Sequence, residues 1–148
     1  MDGIIREATP HDAARIVEMG RKFFLSGPYR AQLEDKPERF LGFTSALIAN
    51  PSAKVLVAED VNGFVVGVLA ILLSPHYLSG ELVGVELIWY VEPEHRGQVS
   101  LELFWAAEKL AKEMGAVRMQ FTAPNEQVGA IYKRLHYTQL EVGYQRSL

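Results

Sequence analysis

The sequence predicts a single mixed α/β domain in which helices flank a central mixed sheet, with the element order β-α-α-β-β-β-α-β-α-β. The 148 residues are 49% apolar, which is enough for one sizeable core. Two runs rich in Val, Leu and Ile flank Asn62-Gly63, the strongest short signal for a β-hairpin. A strand, a helix and a second strand follow between Leu82 and Thr122, and strands joined in this way pair in parallel. No repeat or linker interrupts the chain, so we expect one domain over residues 1–148.

The N-terminal third predicts a strand at Ile4–Glu7 and then two helices. Thr9-Pro10-His11-Asp12 indicates a helix start, because threonine can cap, proline suits the first helical position and aspartate favours the positive helix end. Apolar residues recur at helical spacing until Ser26-Gly27-Pro28. Pro37 begins the second helix, and Asn50-Pro51-Ser52 ends it.

Three apolar runs predict the middle strands of the sheet, at Lys54–Glu59, Phe64–Leu73 and Leu82–Val91. Both faces of the third run are mostly apolar, so we expect this strand in the interior of the sheet. Strict alternation places the even-numbered residues of the third run, Glu86 among them, on one face and the odd-numbered residues on the other.

The last third predicts two further helices and two further strands. A loop at Glu92–Gly97 leads into a helix whose apolar residues recur three and four positions apart, and Gly115 ends that helix. Val117–Thr122 is predicted as a strand and Asn125–Leu135 as a helix. Tyr137–Arg146 is predicted to supply a closing strand or two.

Composition excludes several kinds of partner. The net charge is −3, with no block of like charges, which argues against nucleic acid. The chain has no cysteine and its four histidines show no ligand spacing, so we expect no metal. The N-terminus lacks an apolar signal core, and the longest strongly apolar stretch, Val65–Leu73, is too short to cross a bilayer. We therefore expect a cytoplasmic protein without a membrane partner.

The loop before the third helix has features of an anion site. A helix start presents free backbone N–H groups and the positive end of the helix dipole, which suits phosphate. Arg96 adds a cation, and Gly97 lets the backbone approach a ligand closely. The same residues are equally consistent with a capped helix beside a surface arginine.

Two segments together resemble the motifs of one family. The first is Val85–Gly97 (VELIWYVEPEHRG), continued in the next helix by Leu103, Ala107, Glu108, Ala111 and Gly115-Ala116. The second comprises Asn125, Ile131-Tyr132 and Leu135-His136-Tyr137. Their separation and the element order resemble the GNAT N-acetyltransferase superfamily over essentially the whole chain. The pattern, including the ending Tyr144-Gln145-Arg146, is also similar to small GNAT proteins of phages and prophages.

The resemblance implies an acetyl-CoA:amine N-acetyltransferase in which acetyl-CoA lies between two splayed parallel strands, Leu82–Val91 and Val117–Thr122. It implies that an amine attacks the thioester directly, without an acyl-enzyme. The pyrophosphate would bind the loop and helix start, and backbone groups of the preceding strand would pair with the pantetheine. The predicted cofactor-binding residues are Tyr90, Val91, Arg96, Gly97, Gln98, Val99, Ser100, Leu101 and Asn125.

Two residues are candidates for catalysis. Glu86 is the candidate general base, because a carboxylate on a central strand is partly desolvated and its pKa rises. Its alternative role is a carboxylate bonded to a nearby backbone group or arginine. Tyr132 matches the family tyrosine that protonates the departing thiolate, and its alternative role is packing beneath the cofactor. Asn125 either bonds the pantetheine or caps the last helix, and capping is favoured.

The chain departs from the family pattern at two places. Aligned without a gap to the family loop Q/R-x-x-G-x-G/A, it has Val99 and Leu101 where glycine is usual. In the preferred alignment the loop is one residue shorter, Ser100 takes the last small position and Glu108 matches the acid of the helix. Either alignment lacks a glycine, which puts the affinity for acetyl-CoA in doubt. His136 stands where the family usually has a glycine of positive φ.

The acceptor site is predicted between the first two helices and the Leu73–Leu82 loop, with Tyr29, Arg30, His76 and Tyr77 as lining residues. The acceptor is predicted to be an amine of a small molecule or of a protein.

Other assignments remain open. Phe104 and Trp105 are assigned to the core or to a dimer contact, so a homodimer is one predicted assembly. A non-catalytic coenzyme A sensor or structural protein of the same fold is the alternative function, favoured by the altered glycine loop. A βαβ nucleotide-binding module is disfavoured, because a full G-x-G-x-x-G or G-x-x-x-x-G-K-[ST] motif is absent.

Overall fold

The computed structural model describes residues 3–148, which form one five-stranded sheet with helices on both faces. The elements in chain order are β1 (Ile4–Glu7), α1 (Ala13–Ser26), α2 (Pro37–Ala49), β2 (Ala53–Glu59), β3 (Val65–Pro75), β4 (Leu82–Val91), α3 (Gln98–Glu113), β5 (Arg118–Gln120) and α4 (Glu126–Arg134). Short 3-10 turns precede α1, α2 and α3. The predicted mixed α/β class is confirmed.

The strands lie in sequence order, β1-β2-β3-β4-β5. The pairs β1–β2, β2–β3 and β3–β4 are antiparallel, and the pair β4–β5 is parallel. The predicted parallel strand–helix–strand unit is therefore confirmed, and so is the interior position of β4. A parallel pair requires the chain to cross a face of the sheet between the two strands, and α3 makes that crossing.

Two apolar clusters fill the two faces of the sheet. On one face, Ile16 and Met19 of α1 and Leu47 of α2 pack on residues of β2, β3 and β4. On the other face, Leu103 and Ala107 of α3 pack on the opposite side chains of the same strands. The sheet therefore separates an α1–α2 layer from an α3 layer.

A β-bulge in β4 changes which residues share a face. Ala70 of β3 pairs with Ile88, but the next residue, Ile71, pairs with Glu86, so Leu87 is an extra residue. A bulge reverses the alternation on either side of it. The sequence-based expectation that Glu86 and Ile88 share one face is therefore wrong. Glu86 lies on the α3 face, and Ile88 lies on the α1–α2 face.

Local signals place most element ends as expected. Thr9 and Asp12 form a capping box at the helix start, in which the Asp12 carboxylate accepts a hydrogen bond from the Thr9 backbone N–H at 2.7 Å. Gly63 in the β2–β3 hairpin has φ of 81°, and Gly115 after α3 has φ of 98°. Both residues use the left-handed region that glycine tolerates.

A buried carboxylate joins α1 to the end of β4. Glu92 is buried, and its carboxylate lies 2.9 Å from Nζ of Lys22 and 3.8 Å from a guanidinium nitrogen of Arg15. Its backbone N–H donates to the carbonyl of Val66 on β3. These contacts hold α1 against the edge from which the α3 loop departs.

The predicted closing strand at Tyr137–Arg146 is wrong. Alternating apolar residues support a strand there, but Leu140 is 74% exposed, Tyr144 is 94% exposed, and no ladder forms in residues 138–148. The tail contacts the α1–α2 connection through Gln145 Nε2, which donates to the Gln32 carbonyl at 2.9 Å. Alternation describes one surface of a strand but does not supply a partner edge, and here the three residues of β5 pair only with β4.

Candidate active site

The parallel strands β4 and β5 separate in the middle of β4. They pair at Val83 with Arg118, Gly84 with Met119 and Val85 with Gln120, and the described chain contains no pair beyond these. A Cβ on Gly84 would lie 2.7 Å from the Met119 sulfur, so glycine permits the close approach before the separation. Since the separation begins at Glu86, the later backbone groups on this edge of β4 have no β5 partner. The expected splayed pair is present, and β5 is shorter than the predicted Val117–Thr122.

Glu86 lies where the strands separate. Its half-buried side chain is on the α3 face, and burial raises its pKa from 4.5 to about 7. A hydrogen bond from the Thr122 backbone, just beyond β5, opposes this rise. The carboxyl group therefore spans the opening between the two strands and titrates near neutral pH. An isolated desolvated carboxyl of this kind is a candidate base.

Tyr132 reaches the same place from α4. Its side chain is buried, and its hydroxyl donates to the Thr122 carbonyl at 3.3 Å. Burial raises the pKa of this phenol, and the charge of Glu86 raises it further. Its ring stacks on Trp89 with centroids 5.9 Å apart and lies 5.3 Å from the Phe121 ring. The two predicted catalytic residues thus converge on one backbone unit.

A second tyrosine ties α4 to α3. The hydroxyl of Tyr137 donates to the Glu108 carboxylate at 2.6 Å. Burial raises the pKa of Tyr137, and this hydrogen bond raises it further. The sequence analysis aligned Glu108 with the acidic residue of the family's central helix but gave it no partner. In the structure, its hydrogen bond with Tyr137 orients the chain directly after α4. The sequence did not indicate this hydrogen bond, because the two residues are 29 positions apart.

Arg96 lies across the end of β4. Its Nε donates to the Val91 carbonyl at 2.8 Å, and its guanidinium carbon lies 5.4 Å from the centre of the Tyr90 ring. The other guanidinium nitrogens have no hydrogen-bond or ion-pair partner within residues 3–148. Because the Val91 carbonyl already accepts this hydrogen bond, it is less available to a ligand than the sequence suggested. These contacts hold the positively charged guanidinium of Arg96 close to the first residues of α3.

The α3 start presents unused N–H groups. Gly97 has φ of 100°, and nothing lies within 4 Å of the position a Cβ would occupy. The backbone N–H groups of Gln98, Val99 and Ser100 lack partners in the described chain, whereas that of Leu101 donates to the Gly97 carbonyl at 3.1 Å. The backbone N–H of Leu101 is therefore not an available donor. The remaining three N–H groups and the helix dipole make the α3 start a candidate anion site.

Two residues of the C-terminal motif have structural roles. The Asn125 side-chain oxygen accepts from the Val128 backbone N–H at 2.9 Å, which confirms the favoured capping role. His136 has φ of 69°, so the expected positive φ is confirmed for a residue that is not glycine.

The predicted acceptor residues do not come together. Tyr29 lines a groove between α1 and α2, but Arg30 is not among the lining residues. His76 and Tyr77 stack on each other, with ring centroids 4.9 Å apart, in the loop between β3 and β4. That loop joins the start of β4, whereas the α3 anion site lies at its other end.

We call the cavity between the first two helices the α1–α2 groove, and it has a volume of about 560 Å³. Residues that define it include Phe24, Tyr29, Leu33, Phe43, Leu87 and Ile88. The sequence analysis did not identify Phe43 as a groove residue. Leu87 was not identified from the sequence, because strict alternation groups it with Trp89, whereas the bulge leaves Leu87 on the same side as Ile88.

Residues 3–148 contain no group of three or more His, Cys, Asp or Glu side chains that could hold a metal ion. In the same residues, no helix has both the length and the apolar character needed to cross a membrane.

Comparisons with known proteins agree on the fold. A sequence model described as the acetyltransferase (GNAT) family matches residues 17–137. A search of curated proteins found no match. Similar solved structures include a putative acetyl transferase from Pyrococcus furiosus (TM-score 0.81, 16% identity, 99% of this chain and 100% of that chain). A second is a transcriptional regulator from Bacillus halodurans C-125 (TM-score 0.79, 21% identity, 99% of this chain and 99% of that chain). A third is ribosomal-protein-alanine N-acetyltransferase from Brucella melitensis biovar Abortus 2308 (TM-score 0.76, 18% identity, 100% of this chain and 100% of that chain).

The raised pKa of Glu86 predicts a pH-dependent stability. In the folded chain the carboxyl stays neutral up to about pH 7, whereas the ordinary pKa of a glutamate is 4.5. The neutral carboxyl therefore contributes its full share of the unfolding free energy below pH 4.5. That share decreases above pH 4.5 and is lost as the pH rises through 7. Glu86→Gln cannot ionise. Between pH 5 and pH 8 the wild type should therefore lose about 2–3 kcal/mol more unfolding free energy than the variant. Urea unfolding at several pH values measures the difference, and parallel curves for the two proteins would contradict it.

Proposed function

This chain belongs to the acetyltransferase (GNAT) family, and we propose that it transfers the acetyl group of acetyl-CoA to an amine of a small molecule or a protein. The observation that carries the proposal is the convergence of Glu86 and Tyr132 on Thr122, at the point where β4 and β5 separate. These groups come from two different elements. A base and a hydroxyl donor at one opening suit a reaction in which one atom loses a proton and another gains one.

The start of α3 supports binding of the donor. Acetyl-CoA would supply an acetyl thioester and, on its other end, a pyrophosphate with negative charge. The free N–H groups of residues 98–100 and the unpaired nitrogens of Arg96 fit such a charge. The Val99 side chain is buried in the core, so it does not obstruct the N–H groups. Unpaired backbone groups of β4 beyond Glu86 are available to the pantetheine.

The two candidate side chains divide the proton transfers between them. Glu86 takes the proton that the amine loses as the new C–N bond forms, and a pKa of about 7 leaves it able both to accept and to release that proton. Tyr132 keeps its hydroxyl hydrogen at neutral pH because burial raises its pKa, and it donates to the sulfur as the C–S bond breaks. The products are an amide and a thiol, and proton exchange with solvent restores both side chains.

A coenzyme A sensor of the same fold is the competing function. It would use the anion site at α3 but would need no base, so the turnover measurements below separate the two. A cytoplasmic location, a homodimer and a phage or prophage origin stay predictions.

Arg96→Ala should weaken acetyl-CoA binding by about 1.5–3 kcal/mol, the scale of hydrogen bonds to charged groups. Titration calorimetry measures this change. Arg118→Ala is a matched control, because Arg118 is an exposed arginine on β5 that lies beside the start of β4, whereas Arg96 lies at its end. Equal acetyl-CoA affinities for the wild type, Arg96→Ala and Arg118→Ala would show that Arg96 does not bind acetyl-CoA.

Glu86→Gln should lower kcat by about 10²–10⁴-fold, the usual contribution of a general base. The carboxylate is the active form, so kcat/KM of the wild type should rise with pH and level off above about 7, and the variant should lack this limb. Glu126→Gln is a control at an exposed acidic residue in the first turn of α4. A variant with the wild-type profile would show that another group accepts the proton.

Tyr132→Phe should lower kcat much more than it lowers acetyl-CoA affinity, since the hydroxyl acts mainly as the C–S bond breaks. Unfolding free energy should fall by less than about 1.5 kcal/mol, because the hydroxyl makes one ordinary hydrogen bond. Turnover by free-thiol release and affinity by calorimetry are measured on both proteins. Unchanged turnover would make Tyr132 a packing residue. A wild type that binds acetyl-CoA but acetylates no amine would favour the sensor.

A further inference from the structure

Glu108 and Tyr137 form a hydrogen-bonded pair that the proposed proton transfers do not use. The Tyr137 hydroxyl donates to the Glu108 carboxylate at 2.6 Å, and within residues 3–148 no cation pairs with that carboxylate. A hydroxyl bound this closely to a carboxylate makes a hydrogen bond about twice as strong as one between neutral groups. The pair joins α3 to the segment directly after α4.

The end of α4 brings Tyr137 back beside Tyr132. His136 has φ of 69°, and its backbone N–H donates to the Lys133 carbonyl at 3.0 Å. The backbone N–H of Tyr137 donates to the Tyr132 carbonyl at 2.9 Å. These two hydrogen bonds around a left-handed residue form a Schellman motif, which ties the residue after the turn to the last turn of the helix. A contact that fixes Tyr137 therefore also restrains the backbone of Tyr132.

The two tyrosine rings also pack against the same neighbour. The Phe121 ring lies 5.3 Å from the Tyr132 ring and 5.5 Å from the Tyr137 ring, measured between centroids. The two tyrosine rings are themselves 6.2 Å apart. Because side chains in a packed core interdigitate with few voids, a shift of the Tyr137 ring would change the surface against which Tyr132 packs.

Few other polar contacts hold α4 in place. Within residues 3–148, no ion pair includes a residue of α4. In the same range, three side chains of residues 126–148 donate hydrogen bonds to other segments, namely Tyr132 at 3.3 Å, Gln145 at 2.9 Å and Tyr137 at 2.6 Å. The bond of Tyr137 is the shortest of the three.

The proposed reaction removes one of these hydrogen bonds. When the Tyr132 hydroxyl donates to the sulfur, it no longer donates to the Thr122 carbonyl, because a hydroxyl has one hydrogen to donate. Gln145 bonds the α1–α2 connection, which is remote in sequence from α4. The polar contact that remains next to the phenol is the one between Tyr137 and Glu108.

We propose that Glu108 and Tyr137 are positioning residues for the phenol of Tyr132. They hold it at the opening between β4 and β5 while its hydroxyl exchanges the Thr122 carbonyl for the sulfur. This inference rests on the proposed acetyl transfer and adds to it two residues that act through Tyr132. The carboxylate fixes Tyr137 to α3, and the Schellman motif and the Phe121 ring transmit that restraint to Tyr132.

Tyr137→Phe should lower kcat by about 10–100-fold and leave acetyl-CoA affinity unchanged, since a misplacement of about 1 Å costs a reaction about 100-fold. Glu108→Ala should have the same effect. Glu108→Gln should restore most of kcat, because its amide oxygen still accepts from the Tyr137 hydroxyl. Free-thiol release measures turnover, and calorimetry measures affinity. Tyr144→Phe is the matched control, because Tyr144 is 94% exposed in the tail.

A double variant separates positioning from general stabilisation of the fold. If the pair acts through the Tyr132 hydroxyl, Tyr137→Phe should lower kcat no further in a Tyr132→Phe background. An equal loss in both backgrounds would overturn the proposal, and so would a Tyr137→Phe protein with the wild-type kcat. A Glu108→Gln protein as slow as Glu108→Ala would also contradict it, because the hydrogen bond would then not be what matters.

A measurement without turnover separates this inference from the proposed function. In protein labelled with ¹³C at the ζ carbon of tyrosine, the NMR signal that Tyr132→Phe removes is that of Tyr132. Tyr137→Phe and Glu108→Ala should shift or broaden this signal, and Tyr144→Phe should leave it in place. A displaced signal in a protein that acetylates no amine would support the positioning and contradict the transfer. An unmoved signal would overturn the positioning, and acetyl transfer that depends on Tyr132 would then still stand.

Discussion

The site depends on the way β4 changes its hydrogen-bonding partners along its length. At its start the strand pairs on both edges, with β3 and with β5, but after Val85 only the β3 edge remains paired. The bulge at Leu87 occurs directly after this point. A strand that loses one neighbour and carries an extra residue exposes backbone groups and redirects side chains, and both effects occur where Glu86 lies. The β4–β5 hydrogen bonds that a continuous sheet would make are absent here, and an opening between the two strands takes their place.

The electrostatics of the opening follow from this geometry. Glu86 is desolvated by burial, and no cation of the described chain contributes to its pKa. Glu92, six residues further along, is also buried but has Lys22 and Arg15 as partners. The two carboxylates thus illustrate different uses of burial: a paired one joins elements together, while an unpaired one becomes neutral near pH 7 and can exchange protons.

The candidate anion site at α3 depends on different features of the structure from those that raise the pKa of Glu86. Its donors are backbone N–H groups and one arginine, so it depends on the helix start and on the positive φ of Gly97 rather than on a precise set of side chains. The Val99 side chain is buried in the core, and its backbone N–H has no partner in the described chain.

The sequence by itself determined the helices, the apolar strands, the interior place of β4 and the residues around Arg96. It also indicated the Asn125 cap and the backbone conformation at His136. These features depend on periodicity, on capping chemistry and on the φ preferences of single residues, all of which act within a few positions of the chain. Glu86 was predicted as a candidate base from its place on a central strand, and Tyr132 was predicted from the resemblance to the family motif.

Only the tertiary structure decided which face each side chain occupies and which segments find partners. The bulge at Leu87 reverses the faces of β4, and its cause lies in the register with β3, which no local pattern encodes. The same limit explains the tail: the alternation in residues 138–148 is typical of a strand, but no neighbouring edge pairs with it. The α1–α2 groove and the meeting of Glu86 with Tyr132 at Thr122 likewise arise from contacts between distant segments, whose geometry depends on packing of the whole domain.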